Sequence, residues 1–284
     1  PDHMGGAGSR PDHRIAPALD RDKASSRKEN LMATIMTPQS HARDLLWSVI
    51  RRLILTTLRR SAKRVLLTRE IPESDHPARR WLPPDLHRFI SQVAINAYDM
   101  RPVAELDVLP RVGSRLMVEM AIFTSAAYRA FLDDGVPDDS ARTLVADIGW
   151  DYYARLLRLT SLPFRLTSRD PGVRLRRTIR LLLWFPFSAS GAPGYAVEVR
   201  TEGPDILTQF THCPPQTFVL ALIASQGNRG DMEAFRQSWC KYDWPGADLI
   251  ADDGKRGHYV RKQTLSAGDP RCDMCWAARG HVEA

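Results

Sequence analysis

The stretch YAVEVRTEGPDILTQFTH, residues 195–212, decides the fold class of this chain. Apolar and polar residues alternate from Tyr195 to Arg200, which is the period of a β-strand with one buried face. Gly203-Pro204 turns the chain and Ile206 to His212 reads as a second strand, so the stretch predicts an antiparallel hairpin. Upstream of this stretch the pattern is helical, and the change of period therefore divides the chain into two regions.

Helical periodicity runs through the residues upstream of that hairpin. Asp170-Pro171 makes a helix start, with the carboxylate as N-cap and proline at the first helical position. The first helix is basic and amphipathic, and such a helix faces a protein core, a partner subunit or an anionic membrane surface. The five upstream helices are predicted over residues 43–67, 84–98, 111–132, 137–159 and 173–183.

Two further helices and a second hairpin are predicted downstream. The helices cover residues 214–223 and 231–240, and the hairpin pairs residues 258–266 with residues 271–276. The sequence therefore predicts an α+β fold, with a helical N-terminal half followed by a small antiparallel sheet of two hairpins with intervening helices.

Domain organisation follows from the same patterns. Residues 1–31 are polar or charged and read as a tag remnant and a flexible tail. Residues 32–185 form the helical region and residues 186–284 the α+β region, which we expect to make one compact domain with the helices. Two further possibilities are compatible with the sequence. The protein could form a homo-oligomer, and the helix over residues 43–67 could contact a membrane surface.

Composition places the chain among soluble globular proteins. Hydrophobic residues make up 43% and charged residues 26% of its 284 residues. No stretch reaches the roughly 20 apolar residues of a membrane span. The net charge is +7, but the arginines are spread along the chain without a nucleic-acid-binding motif. This distribution argues against a nucleic-acid partner.

All four cysteines lie towards the C-terminal end, at Cys213, Cys240, Cys272 and Cys275. We expect a cytoplasmic location with free thiols, because so few cysteines do not make a disulfide-dense secreted scaffold. Asp243, Asp269 and Asp273 stand near the thiols in sequence, which suggests proton handling or ligation rather than packing. Strand alternation points Cys272 and Cys275 to opposite faces, so we expect no metal and no cofactor, although a four-thiolate zinc site stays open if the strand breaks.

Cys213 is predicted to stand just before a proline-started helix. A thiol at a helix N-terminus feels the positive end of the dipole and its pKa falls, so Cys213 is a candidate thiolate or else a capping or packing residue. His212 and His258 are candidate bases, because histidine titrates near neutral pH. Cys240 and Asp243 are three residues apart and share a face if the helix continues through them.

Three segments of this region follow one another in a distinctive order. They are His-Cys-Pro at 212–214, Cys-x-x-Asp at 240–243 and Thr-Leu-x-x-Gly-Asp-x-x-Cys-Asp at 264–273. Their order and spacing resemble the L-2-amino-thiazoline-4-carboxylic acid hydrolase family. The resemblance covers about residues 194–276. The helical half carries no motif of the family, and Cys275 stands outside the family pattern.

The resemblance implies a hydrolase for a small-molecule substrate. Such an enzyme opens a cyclic amidine-like, thiazoline-type amino acid derivative at a carbon–nitrogen or carbon–sulfur bond. Two alternatives stay open, namely a biosynthetic enzyme that catalyses cyclisation or lyase chemistry on the same scaffold, and a non-enzymatic thiol-rich protein that binds a metal or ligand. The residues that the resemblance assigns to the site are Cys213, Cys240, Asp243, Asp269, Cys272 and Asp273.

Hydrolysis of such a ring needs a nucleophile for the amidine carbon and a proton for the leaving group. We expect Cys272 to be the most consequential thiol, poised by a basic group, with Asp269 or Asp273 moving the proton. Activation of water by Asp243 is the alternative mechanism. A substrate carboxylate suits a bidentate arginine. The predicted substrate-binding residues are Arg261, Arg271 and His212.

Overall fold

The computed structural model describes residues 38–74 and 76–280. Its fold is α+β, as the sequence predicts, with helices through most of the N-terminal half and a small antiparallel sheet after them. The predicted tag remnant and tail at residues 1–31 lie outside the described residues. Contacts within the chain divide it between Ile50 and Arg51, and the core and the cavity described below belong to the part that begins at Arg51.

Proline or aspartate begins most of the helices, as at Pro83 and Pro214. Asp170 caps the fifth helix by accepting a hydrogen bond from the Val173 amide at 2.9 Å, and Pro171 is the first residue of that helix, as predicted. The helices are α1 (Pro38–Leu66), α2 (Pro83–Met100), α3 (Val112–Asp133), α4 (Asp138–Thr167), α5 (Pro171–Trp184), α6 (Pro214–Gln226), α7 (Asp231–Ser238) and α8 (Asp243–Ala251).

The helical core is built around α3, which is buried on nearly all sides. It packs against α2, and the rings of Phe89 and Phe131 stack across this contact with centroids 4.4 Å apart. Trp81 lies edge-on to Phe89, with ring centroids 5.7 Å apart. Aromatic pairs in such arrangements add to the stabilisation that burial of their area provides.

The predicted apolar stripe of α1 is buried only in its C-terminal part. Ala62 and Leu66 are inaccessible to solvent, and Ile54 packs against the core while half-buried, whereas Leu53 is 61% exposed. Among the residues that the structure describes, no helix combines the length and the apolar character that crossing a membrane requires. Contact of this helix with a membrane surface or a second subunit stays a prediction.

Both predicted hairpins form, and they join into one four-stranded antiparallel sheet with the order β3–β4–β6–β5. A separate two-stranded ribbon of β1 and β2 stands between α1 and α2. The strands are β1 (Glu70–Ile71), β2 (Arg79–Arg80), β3 (Ala196–Glu202), β4 (Asp205–His212), β5 (Tyr259–Arg261) and β6 (Cys272–Trp276).

The second hairpin is shorter than the sequence predicts. β5 ends at Arg261, and Leu265–Ala267 form a 3₁₀-helical turn where the expected strand continues. The Asp273 carboxylate accepts hydrogen bonds from the backbone amides of Lys262 at 2.9 Å and of Gln263 at 2.6 Å. A side chain that takes these amides competes with strand pairing, so the chain turns away from the sheet after β5.

Candidate functional site

A cavity of about 190 Å³ lies between one face of the sheet and the helices that cover it. Most of its lining side chains are aliphatic or aromatic and only a few are polar, which is the usual composition of a small-molecule site. The polar and sulfur-bearing side chains in its lining include Tyr153, Tyr195, Cys213, Cys240, Asp243, Arg261 and Cys272. The structure thus brings three of the four cysteines and one predicted carboxylate to a single cavity.

Strand alternation decides which residues of β6 reach the cavity. Cys272, Met274 and Trp276 line it, whereas Asp273 and Cys275 do not. β6 keeps a regular register with both neighbouring strands, so alternate side chains point to opposite faces. The condition for a four-thiolate zinc site, a break in this strand, is therefore not met. Within residues 38–74 and 76–280, no three His, Cys, Asp or Glu side chains are grouped so that they could hold a metal ion.

Cys240 and Asp243 reach the cavity from the connection between α7 and α8. Cys240–Tyr242 form a 3₁₀ turn, and Asp243 is the first residue of α8. Side chains three residues apart eclipse in a 3₁₀ helix, so the thiol and the carboxylate lie on one face. The two residues therefore share the cavity, although the helix does not continue through them, which was the condition for their sharing a face.

The Asp243 carboxylate is largely but not fully buried, with 17% of its side chain exposed, and one of its oxygens is hydrogen-bonded within the protein. Its Oδ2 accepts hydrogen bonds from the Tyr259 hydroxyl and from Arg261 Nη1, both at 3.1 Å. Its Oδ1 accepts no hydrogen bond from a described residue. Burial raises the pKa of Asp243 from its ordinary 3.8 to about 6, against the opposing effect of the Arg261 charge. The carboxyl group can therefore take up and release a proton close to neutral pH.

Arg261 is held by hydrogen bonds from both Nη atoms to the protein. Its side chain is only 3% exposed, its Nη1 donates to Asp243, and its Nη2 donates to the Cys240 carbonyl at 2.7 Å. The Trp244 ring stacks on the guanidinium, with its centroid 4.7 Å from Cζ. The remaining Nε is buried without a partner. Arg261 thus positions Asp243 and the adjoining 3₁₀ turn, and it presents no free charge of the kind that the predicted substrate carboxylate needs.

The thiols of Cys240 and Cys272 are both held by the 3₁₀ turn at Leu265–Ala267. Cys240 Sγ lies 3.2 Å from Ser266 Oγ, and Cys272 Sγ accepts a hydrogen bond from the Leu265 amide at 3.3 Å. Burial raises the pKa of Cys240 to about 12 and also raises that of Cys272 above its usual range. Both groups are therefore neutral thiols at physiological pH.

Cys213 is the N-cap residue of α6, as predicted, but the expected lowering of its pKa is wrong. Burial raises the pKa of this thiol far above its usual range, because desolvation outweighs the helix N-terminus. The neighbouring His212 does not line the cavity. Its Nδ1 lies 2.6 Å from the Gly194 carbonyl oxygen and its Nε2 lies 3.1 Å from Thr217 Oγ1, so the ring holds the start of α6 in place.

The carboxylates of Asp269 and Asp273 hold the loop after β5 and do not line the cavity. Asp269 Oδ2 accepts a hydrogen bond from the Thr264 amide at 2.7 Å, and Asp273 accepts the two amides described above. Backbone partners this close orient both carboxylates along the loop. Their predicted role in moving a proton for Cys272 therefore loses its geometric basis.

Two other predicted basic groups also lie away from the cavity. Arg271 is exposed, and its Nε donates to Gln263 Oε1 at 2.9 Å. His258 is inaccessible to solvent, with Nδ1 2.9 Å from the Ala277 carbonyl oxygen and Nε2 3.1 Å from the Asp253 carboxylate. Both side chains join segments of the C-terminal region, and neither reaches the thiols.

The predicted site residues do not include Tyr153, Tyr195 and Tyr259, which are three of the tyrosines at this site. Tyr259 stands two residues before Arg261 on β5, so alternation places both on one face, and this signal was available in the sequence. Tyr153 and Tyr195 line the cavity, but their hydroxyl groups make no hydrogen bond with a described residue. Burial, and then the charge of Asp243, raise the pKa of Tyr153, so the two groups are close in space. Nothing in the pattern around Tyr153 distinguishes it from a packing residue.

Comparison of the chain with protein-family models, with curated proteins and with solved structures finds no match. The resemblance to the L-2-amino-thiazoline-4-carboxylic acid hydrolase family therefore stays a prediction. The arrangement itself supplies an apolar cavity, one carboxyl group that titrates near pH 6 and neutral thiols around it. Such a site is suited to bind a small molecule and to transfer protons to and from it.

Proposed function

We propose that this protein is a hydrolase that opens a carbon–nitrogen or carbon–sulfur bond of a small cyclic amidine-like, thiazoline-type compound. The observation that carries the proposal is the Asp243 carboxylate, which lines the apolar cavity, is largely buried and has one oxygen without a described hydrogen-bond partner. A buried carboxyl group whose pKa lies near the working pH is an effective general base and acid.

In this mechanism a water molecule attacks the amidine carbon while Asp243 takes one of its protons. A carbon–oxygen bond forms, and the ring bond to nitrogen or sulfur breaks. Asp243 then gives the proton to the leaving atom and returns to its carboxylate form. Each turnover consumes one water molecule, and the Arg261 and Tyr259 donors at Oδ2 keep the carboxylate oriented throughout.

Asp243 fits the role of base better than Cys272 fits the role of nucleophile. A thiolate, not a thiol, attacks carbon, and burial keeps Cys272 protonated. Arg261, which would have to stabilise that thiolate, is already paired with Asp243. With Cys272 protonated and Arg261 paired, general-base activation of water by Asp243 fits the site better than attack by the thiol.

A binding protein without catalytic activity is the second candidate, and the apolar lining with its neutral thiols favours it. Such a protein would hold the same class of ligand and release it unchanged. Cyclisation or lyase chemistry is a third outcome, in which no oxygen from water enters the product.

An isotope experiment separates these outcomes. The purified protein is incubated in ¹⁸O-labelled water with 2-amino-thiazoline-4-carboxylic acid, with 2-amino-2-thiazoline and with their cyclic amidine analogues, and the products are examined by mass spectrometry. Hydrolysis adds one ¹⁸O atom to a ring-opened product, and Asp243→Asn should lower the rate of this labelling by at least ~100-fold. Asp139→Asn is the matched control, because the Asp139 side chain is 97% exposed. Unlabelled products, or unchanged ligands, would contradict the proposal.

A further inference from the structure

The cavity has two charged side chains among its described lining residues, Asp243 and Arg261, and they are paired with each other. Arg261 Nη1 and Nη2 each donate a hydrogen bond within the protein, Trp244 covers one face of the guanidinium, and Nε is buried without a partner. Arg261 is the only cation among the described lining residues, and its charge is already balanced by the Asp243 carboxylate.

A ligand with a carboxylate would bind weakly in this cavity. Its charge would lose water without gaining a cation, and it would stand beside the carboxylate of Asp243. Burial of an unpaired charge is among the most costly events in a protein interior. The lining thus selects against anionic ligands.

The same cavity offers unpartnered groups to a neutral or basic ligand. Asp243 Oδ1 is an acceptor without a donor, and the hydroxyls of Tyr153 and Tyr195 can donate or accept. The volume of about 190 Å³ exceeds the roughly 150 Å³ of a protein cavity that holds one benzene molecule. The space and the hydrogen-bonding groups together suit a single ring with a polar nitrogen.

We propose that the substrate is a monocyclic base without a free carboxylate, whose ring packs on the apolar lining and whose N–H group donates to Asp243 Oδ1. The inference rests on the proposed function in taking the ring to be amidine-like. It differs from the amino acid derivative that the family resemblance implies, because the arginine that would hold the amino acid carboxylate is occupied by Asp243.

Binding of matched ligands tests the inference separately from turnover. The wild-type protein is titrated by calorimetry with 2-amino-2-thiazoline, with 2-amino-thiazoline-4-carboxylic acid and with the methyl ester of that acid. The unsubstituted ring and the ester should each bind at least ~10-fold more tightly than the free acid, because neither buries a second negative charge. Arg271→Ala should leave all three affinities unchanged, since Arg271 is exposed outside the cavity.

Two results would overturn the inference. One is equal or tighter binding of the free acid, and the other is failure of both the unsubstituted ring and the ester to bind. If the two ligands without a carboxylate bind in the expected order but no labelled product forms, the inference stands and the hydrolase proposal fails. If the free acid binds best and is hydrolysed, the hydrolase proposal stands and the inference fails.

Discussion

At the scale of single residues, the proposed chemistry of this protein depends on Asp243. Its carboxylate stands where a 3₁₀ turn meets α8 and lines the cavity. Tyr259 and Arg261 hold it through Oδ2, and Oδ1 accepts no hydrogen bond from a described residue. The pKa of Asp243 is the result of two opposing effects. Burial raises it, and the nearby Arg261 guanidinium limits the rise to about 6.

Replacement of the carboxylate should abolish most of the activity. We expect Asp243→Asn to lower kcat/KM by at least ~100-fold, since an amide cannot accept the proton of water. The measurement is steady-state kinetics on a substrate identified by the labelling experiment, with circular dichroism to show that the variant is folded. Activity within a few-fold of wild type would remove Asp243 from the mechanism.

The activity should follow the ionisation of this group. Because the base must be ionised, kcat/KM should fall about tenfold per pH unit below pH of about 6 and level off above it. The residual activity of Asp243→Asn should lack this acidic limb. A limb that persists in the variant would assign the titration to another residue.

Whereas kcat/KM should rise with pH up to about 6, the contribution of Asp243 to the free energy of unfolding should fall over the same range. The folded pKa of about 6 lies above the unfolded value of 3.8, so between these two values the folded state binds more protons than the unfolded state. The free energy of unfolding of the wild type, relative to Asp243→Asn, should therefore fall as pH rises from about 4 to about 6. Urea unfolding of both proteins at pH 4.5 and pH 7 measures this difference, and a rise with pH would contradict it.

A thiol substitution distinguishes the two mechanisms. With Asp243 as the base, Cys272→Ser should retain kcat/KM within about tenfold of wild type, because the hydroxyl still accepts the Leu265 amide. With Cys272 as the nucleophile, the loss should be at least ~100-fold. A covalent adduct of the wild type, seen by intact-protein mass spectrometry during turnover, would support the thiol mechanism instead.

At the scale of elements, the loop between β5 and β6 positions the thiols of Cys240 and Cys272. Asp269 and Asp273 fix its backbone, and its 3₁₀ turn holds Cys240 and Cys272. The two carboxylates that the sequence suggests as catalytic thus support the site through backbone hydrogen bonds. Their proximity to Cys272 in sequence reflects this structural role.

Removal of the Asp273 carboxylate should lower the free energy of unfolding, because this carboxylate fixes the loop after β5. Asp273→Ala leaves the Lys262 and Gln263 amides without their partner, and we expect a loss of about 1–3 kcal/mol in the free energy of unfolding. Asp273→Asn keeps an acceptor oxygen and should cost less. Urea denaturation of the three proteins provides the comparison, and equal losses for both variants would show that charge, not hydrogen bonding, holds the loop.

At the scale of the whole molecule, a buried ion pair joins the helical core to the C-terminal region. Arg129 on α3 donates to both carboxylate oxygens of Asp231 at the start of α7, at 2.8 and 2.9 Å, and both side chains are buried. The pair orients α7, which ends just before the turn that carries Cys240. The helical half therefore contributes to the position of the site, although it carries no motif.

The buried pair and an exposed pair should differ sharply in their cost of removal. Asp231→Ala leaves Arg129 buried without its partner, and we expect a loss of about 3–5 kcal/mol in the free energy of unfolding. Asp133→Ala removes the half-exposed pair with Arg229 and should cost about 0–1 kcal/mol. Denaturant unfolding monitored by circular dichroism measures both, and similar losses would contradict the distinction.

The sequence by itself determined what depends on neighbouring residues along the chain. Alternation along β6 predicts that Cys272 and Cys275 lie on opposite faces of the sheet, and the Asp170-Pro171 pair predicts the start of α5. Both predictions are possible from sequence because they depend only on local backbone geometry. Only the tertiary structure decided which side chains line the cavity and how their pKa values are shifted. Asp243 owes its raised pKa to burial, and the residues around it include Tyr153, ninety positions earlier in the chain. Desolvation is set by whatever the whole fold packs around a group, and no local pattern encodes it.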